Sequence, residues 1–322
     1  MSFYNIFTKS EKNKAITVVS LVVIILAAVF VYQGIMLHSK TINQIIIQEE
    51  QSIDATITGI TRYSFTPYKE RLNNLLTTKK AFAKTFSDRD RDNLYVLTLP
   101  LYKALKRENK QLHVMHFHLP DGRTYLRMHN RQKFGDDLSK IRPAVQHVHK
   151  EKTPLTCYEV GIHGAFYRII FPVFYQGSYV GALELGIKIH TFIDSLQKQL
   201  SDPLTTFYVS DQWQKVTAPG EGKFIAFGEH TLNTHNEPVF NQLPADLDLS
   251  RDNQRLTIAG KNYILHAYPV IHDFQGKLIG GFIVLQDITK ALANQKDFVF
   301  KTIVFASLLL TIALIVLRFS FG

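Results

Sequence analysis

The chain has 322 residues, 46% of them hydrophobic, and its 37 Lys and Arg against 27 Asp and Glu give a formal net charge of +10. This length accommodates two ordinary domains. A single cysteine, Cys157, excludes an internal disulfide framework. The basic residues form no dense run and no nucleic-acid-binding motif, so a nucleic-acid partner is not expected.

Two apolar stretches lie near the ends of the chain. Residues 15–37 carry almost no polar interruption and are long enough to cross a bilayer as a helix. A second stretch covers residues 298–317, with Lys301 close enough to its end to reach the membrane surface. We expect two transmembrane helices that enclose a large region between them.

The charges that flank these stretches predict their orientation. Three lysines and one glutamate lie within residues 1–14, so the positive-inside rule places both residues 1–14 and residues 318–322 in the cytoplasm. The region between the spans is then outside the cytoplasm. No small-x-small cleavage site follows the first span, which favours an uncleaved anchor over a removed signal peptide.

Residues 38–110 are expected to form a helical stalk. Isoleucines recur at three- and four-residue steps over residues 42–60, which is typical of an amphipathic helix. Pro67 should stop or kink this helix, and a second amphipathic piece follows over residues 72–86. A third helix is predicted over residues 92–105, interrupted at Pro100.

The next stretch predicts a β-hairpin. Residues 112–119 and 124–129 alternate in character and flank Pro120-Asp121-Gly122, a strong turn signal. A two-residue turn at Asp121 and Gly122 would oppose His118 to Tyr125 and place the polar side chains of both strands on one sheet face. Such a donor-rich, cationic face suits an anionic small molecule. Its members would be His116, His118, Tyr125, Arg127 and His129.

A second hairpin is predicted around Gln176-Gly177, with Arg168 opposite Glu184. Two interpretations are open: a structural ion pair, or a pocket floor that presents Arg168 to a carboxylate and Glu184 to an amine. Between the hairpins, residues 139–150 should form a helix with Ile141, Val145 and Val148 inward. Asp137 and Arg142 would face the polar surface, unless Asp136 or Asp137 instead caps that helix.

Metal, cofactor and enzyme signals are weak. His116-x-His118 and His147-x-His149 would each place two imidazoles on one side of a strand, but no tight metal-ligand spacing accompanies them. Cys157 has no neighbouring histidine, and no Gly-x-Ser-x-Gly elbow is present. We therefore expect no metal, no cofactor and no catalysis.

An internal repeat predicts two related modules, over residues 111–200 and 201–290. The segment Phe171-Pro172-Val173 is echoed 97 residues later by Tyr268-Pro269-Val270, and Gln176-Gly177 recurs 99 residues later as Gln275-Gly276. The second module should contain strands over residues 204–210, 255–259, 263–271 and 277–287, with a polar excursion over residues 212–253. Because its equivalent positions carry fewer charges, we expect its pocket to be small, filled or vestigial.

Four motifs, together with the architecture, resemble the double Cache sensor domains of bacterial chemoreceptors, sensor histidine kinases and diguanylate cyclases. The motifs are FHLPDGRTYLRMH, KFGDDLSKIRP, YEVG and YRIIFPVFYQGSYVGALELGI. The resemblance implies an α+β fold in which a long N-terminal helix and two PAS-like antiparallel-sheet modules lie between two transmembrane helices. As a set these motifs are fairly specific, and they span most of residues 111–200.

The resemblance also implies a function in chemotaxis or other signal transduction. The membrane-distal module, residues 111–200, would bind an organic acid, amine or amino acid in the periplasm. The protein would signal from the bacterial inner membrane to a cytoplasmic or membrane partner. A homodimer is predicted separately, from the apolar stripe of the helix over residues 42–60. The ligand-binding positions that match the motifs are His118, Arg127, His129, Asp137, Arg142, Glu159, Arg168 and Glu184.

Two features depart from this pattern. Cys157-Tyr158 precedes Glu159 where a glycine and an aromatic residue are expected, and a signalling module would be expected after the second span. The chain is then either the sensor portion of a longer receptor or a sensor that acts through another membrane protein. The alternative function is an extracytoplasmic protein-interaction module without a small-molecule ligand.

Overall fold

The computed structural model describes residues 9–78, 80–161, 164–200, 204–210, 224–227, 230–233, 238–244, 246–250 and 253–321. The chain divides into two compact units. One unit is Ile53–Gln286, and the other comprises the described residues of Met1–Ser52 and Asp287–Gly322.

Four helices precede the first strand: α1 (Lys9–Tyr63), α2 (Thr66–Thr78), α3 (Lys80–Ser87) and α4 (Arg91–Glu108). The predicted break near Pro67 is confirmed, because this proline lies in the first turn of α2, where its missing N–H costs nothing. Asp90 caps α4 by accepting a hydrogen bond from the backbone N–H of Asn93 at 3.0 Å.

The expected interruption of the third helix at Pro100 is wrong. Pro100 lies inside a continuous α4, although proline removes one helical hydrogen bond. Leu94 and Leu105, which flank it, are fully buried in the apolar core, and their packing holds the helix together on both sides of the proline.

The first sheet has five antiparallel strands in the order β2-β1-β5-β4-β3. The strands are β1 (Leu112–His118), β2 (Thr124–Arg127), β3 (Leu155–Gly161), β4 (Gly164–Tyr175) and β5 (Ser178–Lys188). One face packs on α2, α3 and α4 through an apolar cluster that includes Phe86, Phe117 and Leu183. The other face is partly covered by α5 (Pro143–Glu151), whose Val145 and Val148 belong to a smaller apolar cluster.

Both predicted hairpins form, but a bulge shifts the register of each. His116 pairs with Arg127 as expected, whereas His118 pairs with Thr124 and not with Tyr125. Tyr125 is thus the extra residue of a β-bulge, which turns its side chain to the opposite face. Its ring packs 5.4 Å from that of Phe86, so the expectation that Tyr125 lies on the polar face is wrong.

The second bulge lies between Val173 and Phe174. The turn pairs Tyr175 with Ser178, and the bulge adds one residue to β5, so Arg168 lies opposite Gly186 and the expected direct pairing of Arg168 with Glu184 is wrong. The two residues still share a face because they are diagonal neighbours across the β4–β5 ladder.

The second sheet has the order β7-β8-β6-β11-β10-β9. Its strands are β6 (Leu204–Ser210), β7 (Phe224–Phe227), β8 (His230–Asn233), β9 (Gln254–Ile258), β10 (Lys261–His272) and β11 (Leu278–Asp287), preceded by α6 (His190–Gln199). The four expected strands are confirmed. Sequence patterning missed β7, β8 and a 3₁₀ turn at Pro238–Gln242, and much of the remaining polar excursion lies outside the described residues.

The internal repeat is visible as two equivalent hairpins, β4–β5 and β10–β11. At the repeat offsets, Leu265 and Ile283 occupy the positions of Arg168 and Glu184. Both are buried in an apolar cluster. In the second sheet, apolar side chains therefore occupy the positions at which the first sheet carries an arginine and a glutamate.

The other unit contains most of α1 and the whole of α7 (Thr289–Phe321). Both helices contain a window long and apolar enough to cross a membrane. The expected start of the last helix at Thr289 is confirmed, and α7 contains neither Gly nor Pro. Within this unit His38 stacks on Phe298 at 4.0 Å, and Gln295 donates a hydrogen bond to Ser39 at 2.9 Å.

Candidate ligand-binding site

The polar face of the first sheet collects ionisable side chains from four strands and from the start of α5. Alternation along each strand directs these side chains toward α5, away from the apolar core under α2, α3 and α4. All are buried or nearly so. The group consists of His116, His118, Glu159, Arg168 and Glu184 from the sheet, and of Arg142 from the N-cap of α5.

Glu184 lies at the centre of this group and is fully buried. Its Oε1 accepts hydrogen bonds from Arg142 and, at 3.0 Å, from Arg168 Nη1. Its Oε2 lies 2.8 Å from His118 Nε2. Burial alone would raise the pKa of Glu184, but Arg142 and Arg168 outweigh it and hold that pKa well below its usual value, so the group is a carboxylate.

The same two guanidinium groups contact a second carboxylate. Glu159 Oε2 accepts a hydrogen bond from Arg142 Nε at 2.9 Å and lies 3.2 Å from Arg168 Nε. We call Arg142, Glu159, Arg168 and Glu184 the charge quartet. Its formal charge is zero, which is how a buried cluster of this size avoids an uncompensated charge.

The two imidazoles beside the quartet are uncharged near neutral pH. Burial lowers the pKa of His118, against the opposing effect of its hydrogen bond to Glu184. Burial also lowers the pKa of His116, well below its usual value. A neutral His118 donates from Nε2 to the Glu184 carboxylate, and its Nδ1 then carries a lone pair.

Arg127 is engaged separately. Its guanidinium donates two hydrogen bonds to Asp136, at 2.6 and 2.5 Å, and one to the carbonyl of Lys133 at 2.8 Å. Hydrogen bonding to Arg127 lowers the pKa of Asp136, so this carboxyl is ionised. Sequence reasoning did not assign Asp136 this role, because an Asp-Asp pair before a helix resembles a capping signal.

The predicted helix between the hairpins begins later than expected. Pro143 sets the start of α5, with Arg142 at the N-cap, so capping of this helix by Asp136 or Asp137 is wrong. Asp137 is exposed and accepts a hydrogen bond from the backbone N–H of Ser139 at 2.8 Å. Ile141 is 61% exposed, contrary to its expected inward position.

The predicted site residues therefore separate into three groups. Six of them meet around the quartet: His116, His118, Arg142, Glu159, Arg168 and Glu184. Arg127 and His129 lie beside it, the first paired with Asp136 and the second exposed and stacked 5.1 Å from His116. Tyr125 and Asp137 point elsewhere.

Two other sequence signals are resolved by the fold. His147 and His149 lie in α5, where residues two apart do not share a face, so the expected strand pairing of their imidazoles is wrong. Cys157 is buried on β3, and burial raises the pKa of its thiol. A protonated, buried thiol is a poor nucleophile.

These features, two antiparallel sheets of repeated design after a long helix and a polar cluster on the first sheet, define a tandem sensory fold. The family model for the "double sensory domain of two-component sensor kinase", dCache_3, matches residues 50–292. The chain belongs to this double Cache family, whose members are sensory domains. The family resemblance inferred from the sequence is confirmed, as are the α+β fold and its two antiparallel sheets.

Solved structures of similar fold are more distant. The sensor domain of the V. cholerae histidine kinase DctB is 12% identical, with a TM-score of 0.45, and the match covers 76% of this chain and 98% of that one. The extracellular domain of the putative histidine kinase vpHK1S-Z8 is 10% identical, with a TM-score of 0.47 and coverages of 79% and 97%.

A third similar structure is the ligand-binding domain of the Campylobacter jejuni chemoreceptor Tlp3 in complex with 4-methylisoleucine. It is 12% identical, with a TM-score of 0.35, and the match covers 73% of this chain and 92% of that one. No curated protein sequence matches this chain.

Proposed function

We propose that residues 111–200 form the membrane-distal module of a periplasmic sensor and bind a small molecule that carries a carboxylate. The observation that carries this proposal is the buried charge quartet of the first sheet. The equivalent positions of the second sheet, Leu265 and Ile283, are apolar, so a fold of this kind does not need charges there for its stability. Charges kept in a buried position despite their desolvation cost are candidates for function.

The ligand carboxylate would bind by displacing a carboxylate of the protein from the two arginines. Arg142 and Arg168 each contact both Glu159 and Glu184. A ligand carboxylate of similar geometry can replace Glu159 on these guanidinium groups, because arginine binds carboxylates through paired N–H donors. Glu159 would then be available to a ligand amine, which suits an amino acid.

A cover segment, residues 128–142, controls access in this proposal. It contains Asp136 and Arg142, and both are tied to the sheet, the first through Arg127 and the second through Glu159 and Glu184. Opening the segment would separate these pairs, and a ligand that re-forms them would hold it closed. Ligand binding would thus stabilise the arrangement of the module in which the cover segment is closed.

The proposal includes a membrane topology for the chain. We infer that α1 and α7 cross the inner membrane over residues 15–37 and 298–317, with residues 1–14 and 318–322 in the cytoplasm. Residues 201–290 would form the membrane-proximal module, whose last strand leads into α7 and carries the signal to a cytoplasmic or membrane partner.

The proposal is tested by a thermal-shift screen of the full chain in detergent, with chelator present, against carboxylates, amines and amino acids. A ligand that binds only the folded state raises the melting temperature. Arg127→Ala and Arg142→Ala should each abolish the shift. Arg123→Ala is the matched control, because Arg123 lies beside the turn of the β1–β2 hairpin, but its side chain is 60% exposed and its ion pair is with Asp121, at 3.6 Å.

A screen without any stabilising ligand would argue for the protein-interaction alternative. If a stabilising ligand is found and both Arg127→Ala and Arg142→Ala respond to it as the parent does, the ligand binds elsewhere and the assignment of this site is wrong.

A further inference from the structure

The polar face contains a second arrangement, which shares only Glu184 with the charge quartet. One ligand atom from each of His116, His118 and Glu184 lies within 4.8 Å of the others, and all three residues are buried. We propose that these three side chains bind a divalent transition-metal ion of the zinc class. The sequence placed two of these ligands together, in His116-x-His118, but gave no sign of the third, because Glu184 is 66 residues from His118.

The strands place the three ligands on one side. His116 and His118 are two residues apart on β1, so both imidazoles project from the same face. Glu184 pairs with His116 across the β1–β5 ladder. The backbone pairing of β1 with β5 therefore fixes the relative positions of the main chain of all three ligands before any ion binds.

The distances fit one ion. Two ligand atoms that each lie about 2.1 Å from a tetrahedral ion are about 3.4 Å from one another. Glu184 Oε2 lies 2.8 Å from His118 Nε2 and 3.9 Å from His116 Nδ1, values on either side of that separation. These two contacts differ from it by about 0.5–0.6 Å, and the ligand atoms of the two imidazoles lie within 4.8 Å of one another, so side-chain rotation would have to bring all three atoms to bonding distance.

The imidazoles also have unused nitrogen atoms. Within the described part of the chain, neither ring nitrogen of His116 has a hydrogen-bond partner, and the same is true of Nδ1 of His118. The side chain of His116 is only 7% exposed. Buried polar atoms are normally satisfied. Coordination to an ion would use lone pairs on His116 Nδ1 and His118 Nε2, so the proton that His118 Nε2 donates to Glu184 would move to Nδ1 of the same ring.

The quartet prepares the carboxylate for this role. Arg142 and Arg168 hold Oε1 of Glu184, which leaves Oε2 directed at the two imidazoles. Outer hydrogen bonds of this kind orient metal-binding carboxylates. The quartet has no net charge, so it opposes the ion less than two isolated guanidinium groups would.

The ligand set selects the type of ion. Two imidazoles and one carboxylate suit zinc, copper or nickel better than magnesium or calcium, which prefer oxygen ligands. Three protein ligands leave a fourth position open, as in zinc sites that accept water or an exchangeable ligand.

The test uses the full chain in detergent, without a histidine tag, after metal removal with a chelator. Zinc is titrated in competition with a chromogenic chelator and without any organic ligand, so the result is independent of the carboxylate proposal. We expect one tight site per chain. His116→Ala should weaken it by at least about 100-fold, since losing even an outer partner of a metal ligand costs about 10–100-fold.

His147→Ala is the matched control: it removes a half-buried histidine of the same module from α5 and should leave zinc affinity unchanged. Zinc binding that is absent from the parent, or retained by His116→Ala, overturns the proposal. If His116→Ala does not fold, cobalt titration of the parent decides the question. Four-coordinate cobalt absorbs strongly in the visible range, and a parent that lacks this absorption has no such site.

Discussion

Arg168 and Glu184 are joined diagonally across the β4–β5 ladder, with Nη1 of the arginine 3.0 Å from Oε1 of the glutamate. The residue directly opposite Arg168 is Gly186. A Cβ atom added at Gly186 would lie 2.5 Å from Arg168 Nη1 and 2.9 Å from Val114 Cβ. The missing side chain of Gly186 therefore provides the space in which the guanidinium reaches the carboxylate.

Gly186→Ala should destabilise the fold by about 1–3 kcal/mol, because overpacking forces buried neighbours to move. Here the neighbour is an arginine held by two carboxylates, so it cannot move without loosening the quartet. The measurement is the free energy of unfolding in urea, in detergent. Gly59→Ala is the control, since apart from neighbouring atoms of its own helix no heavy atom of the described residues lies within 4 Å of its added Cβ, and alanine in a helix should stabilise by roughly 0.5–1 kcal/mol. Equal stability of Gly186→Ala and the parent would contradict the packing argument.

His149 provides a prediction about pH. Burial lowers the pKa of His149 to about 4, His118 adds to this effect and Asp121 opposes it. The unfolded chain binds a proton at this histidine near its ordinary pKa of about 6.5, whereas the folded chain does not. Above about pH 6.5 the protonation of His149 therefore does not reduce the free energy of unfolding. That free energy falls as the pH drops from about 6.5 toward 4, because only the unfolded chain then binds the proton.

His149→Gln should consequently lose less stability than the parent between pH 7 and pH 5. Urea denaturation midpoints at these two values measure the difference. Between pH 7 and pH 8 the two proteins should change in parallel. A His149→Gln variant that loses as much stability as the parent on acidification would show that another group causes the effect.

The fold was predictable wherever local chemistry determines it. The turn at Gln176-Gly177, the repeat at Pro172 and Pro269, and the start of α7 at Thr289 were all signalled by neighbouring residues. A β-bulge contributes to both errors, at Tyr125 and at Arg168, and it is the whole cause at Tyr125. Arg168 lies two residues from its expected register: the bulge supplies one of them, and the count across the turn, where Tyr175 pairs with Ser178, supplies the other. A β-bulge inserts a single residue, and because side chains alternate, one residue changes the face or the partner of everything beyond it. No local pattern marks these bulges.

The site shows the same division. The sequence indicated that His116 and His118 share a face of the first hairpin and that Arg168 and Glu184 share a face of the second, because strand alternation is enough for that. That the two faces are one depends on the pairing of β1 with β5. The sharing of Arg142 between Glu159 and Glu184 depends on where α5 packs, which is a long-range property. The pairing of Arg127 with Asp136 depends on the path of the cover segment, for which no periodicity exists.

The exposed surface of α1 predicts dimerisation through residues 42–60. Ile45 and Ile47 are each 49% exposed, whereas Ile42 and Ile46 are each 8% exposed. Exposed apolar side chains on a helix favour a partner helix.

In a chain whose Cys157 is replaced by serine, cysteine at position 45 should crosslink to the same position of a second chain in a bilayer. Cysteine at position 46, on the buried side of the same turn, should not. A profile without helical periodicity over residues 42–53 would argue against this interface.

The last prediction concerns transmission. α7 runs without Gly or Pro from Thr289 to Phe321, so a displacement at its start should reach its end. A ligand shifts this helix only if it binds one arrangement of the module more tightly than another. The free energy that couples ligand binding to the helix is therefore limited to a few kcal/mol, typically about 1–3. A Gly-Gly insertion after Asn294 in a chimera with a signalling module should abolish the response to ligand while leaving affinity unchanged. Glycine destabilises a helix by about 1 kcal/mol per residue relative to alanine.

An Ala-Ala insertion at the same place is the control, because it displaces and rotates the helix equally but keeps it stiff. A difference in response between the two insertions is therefore due to the stiffness of the helix. If the Gly-Gly chimera responds as the parent chimera does, rigid transmission through α7 is not the mechanism.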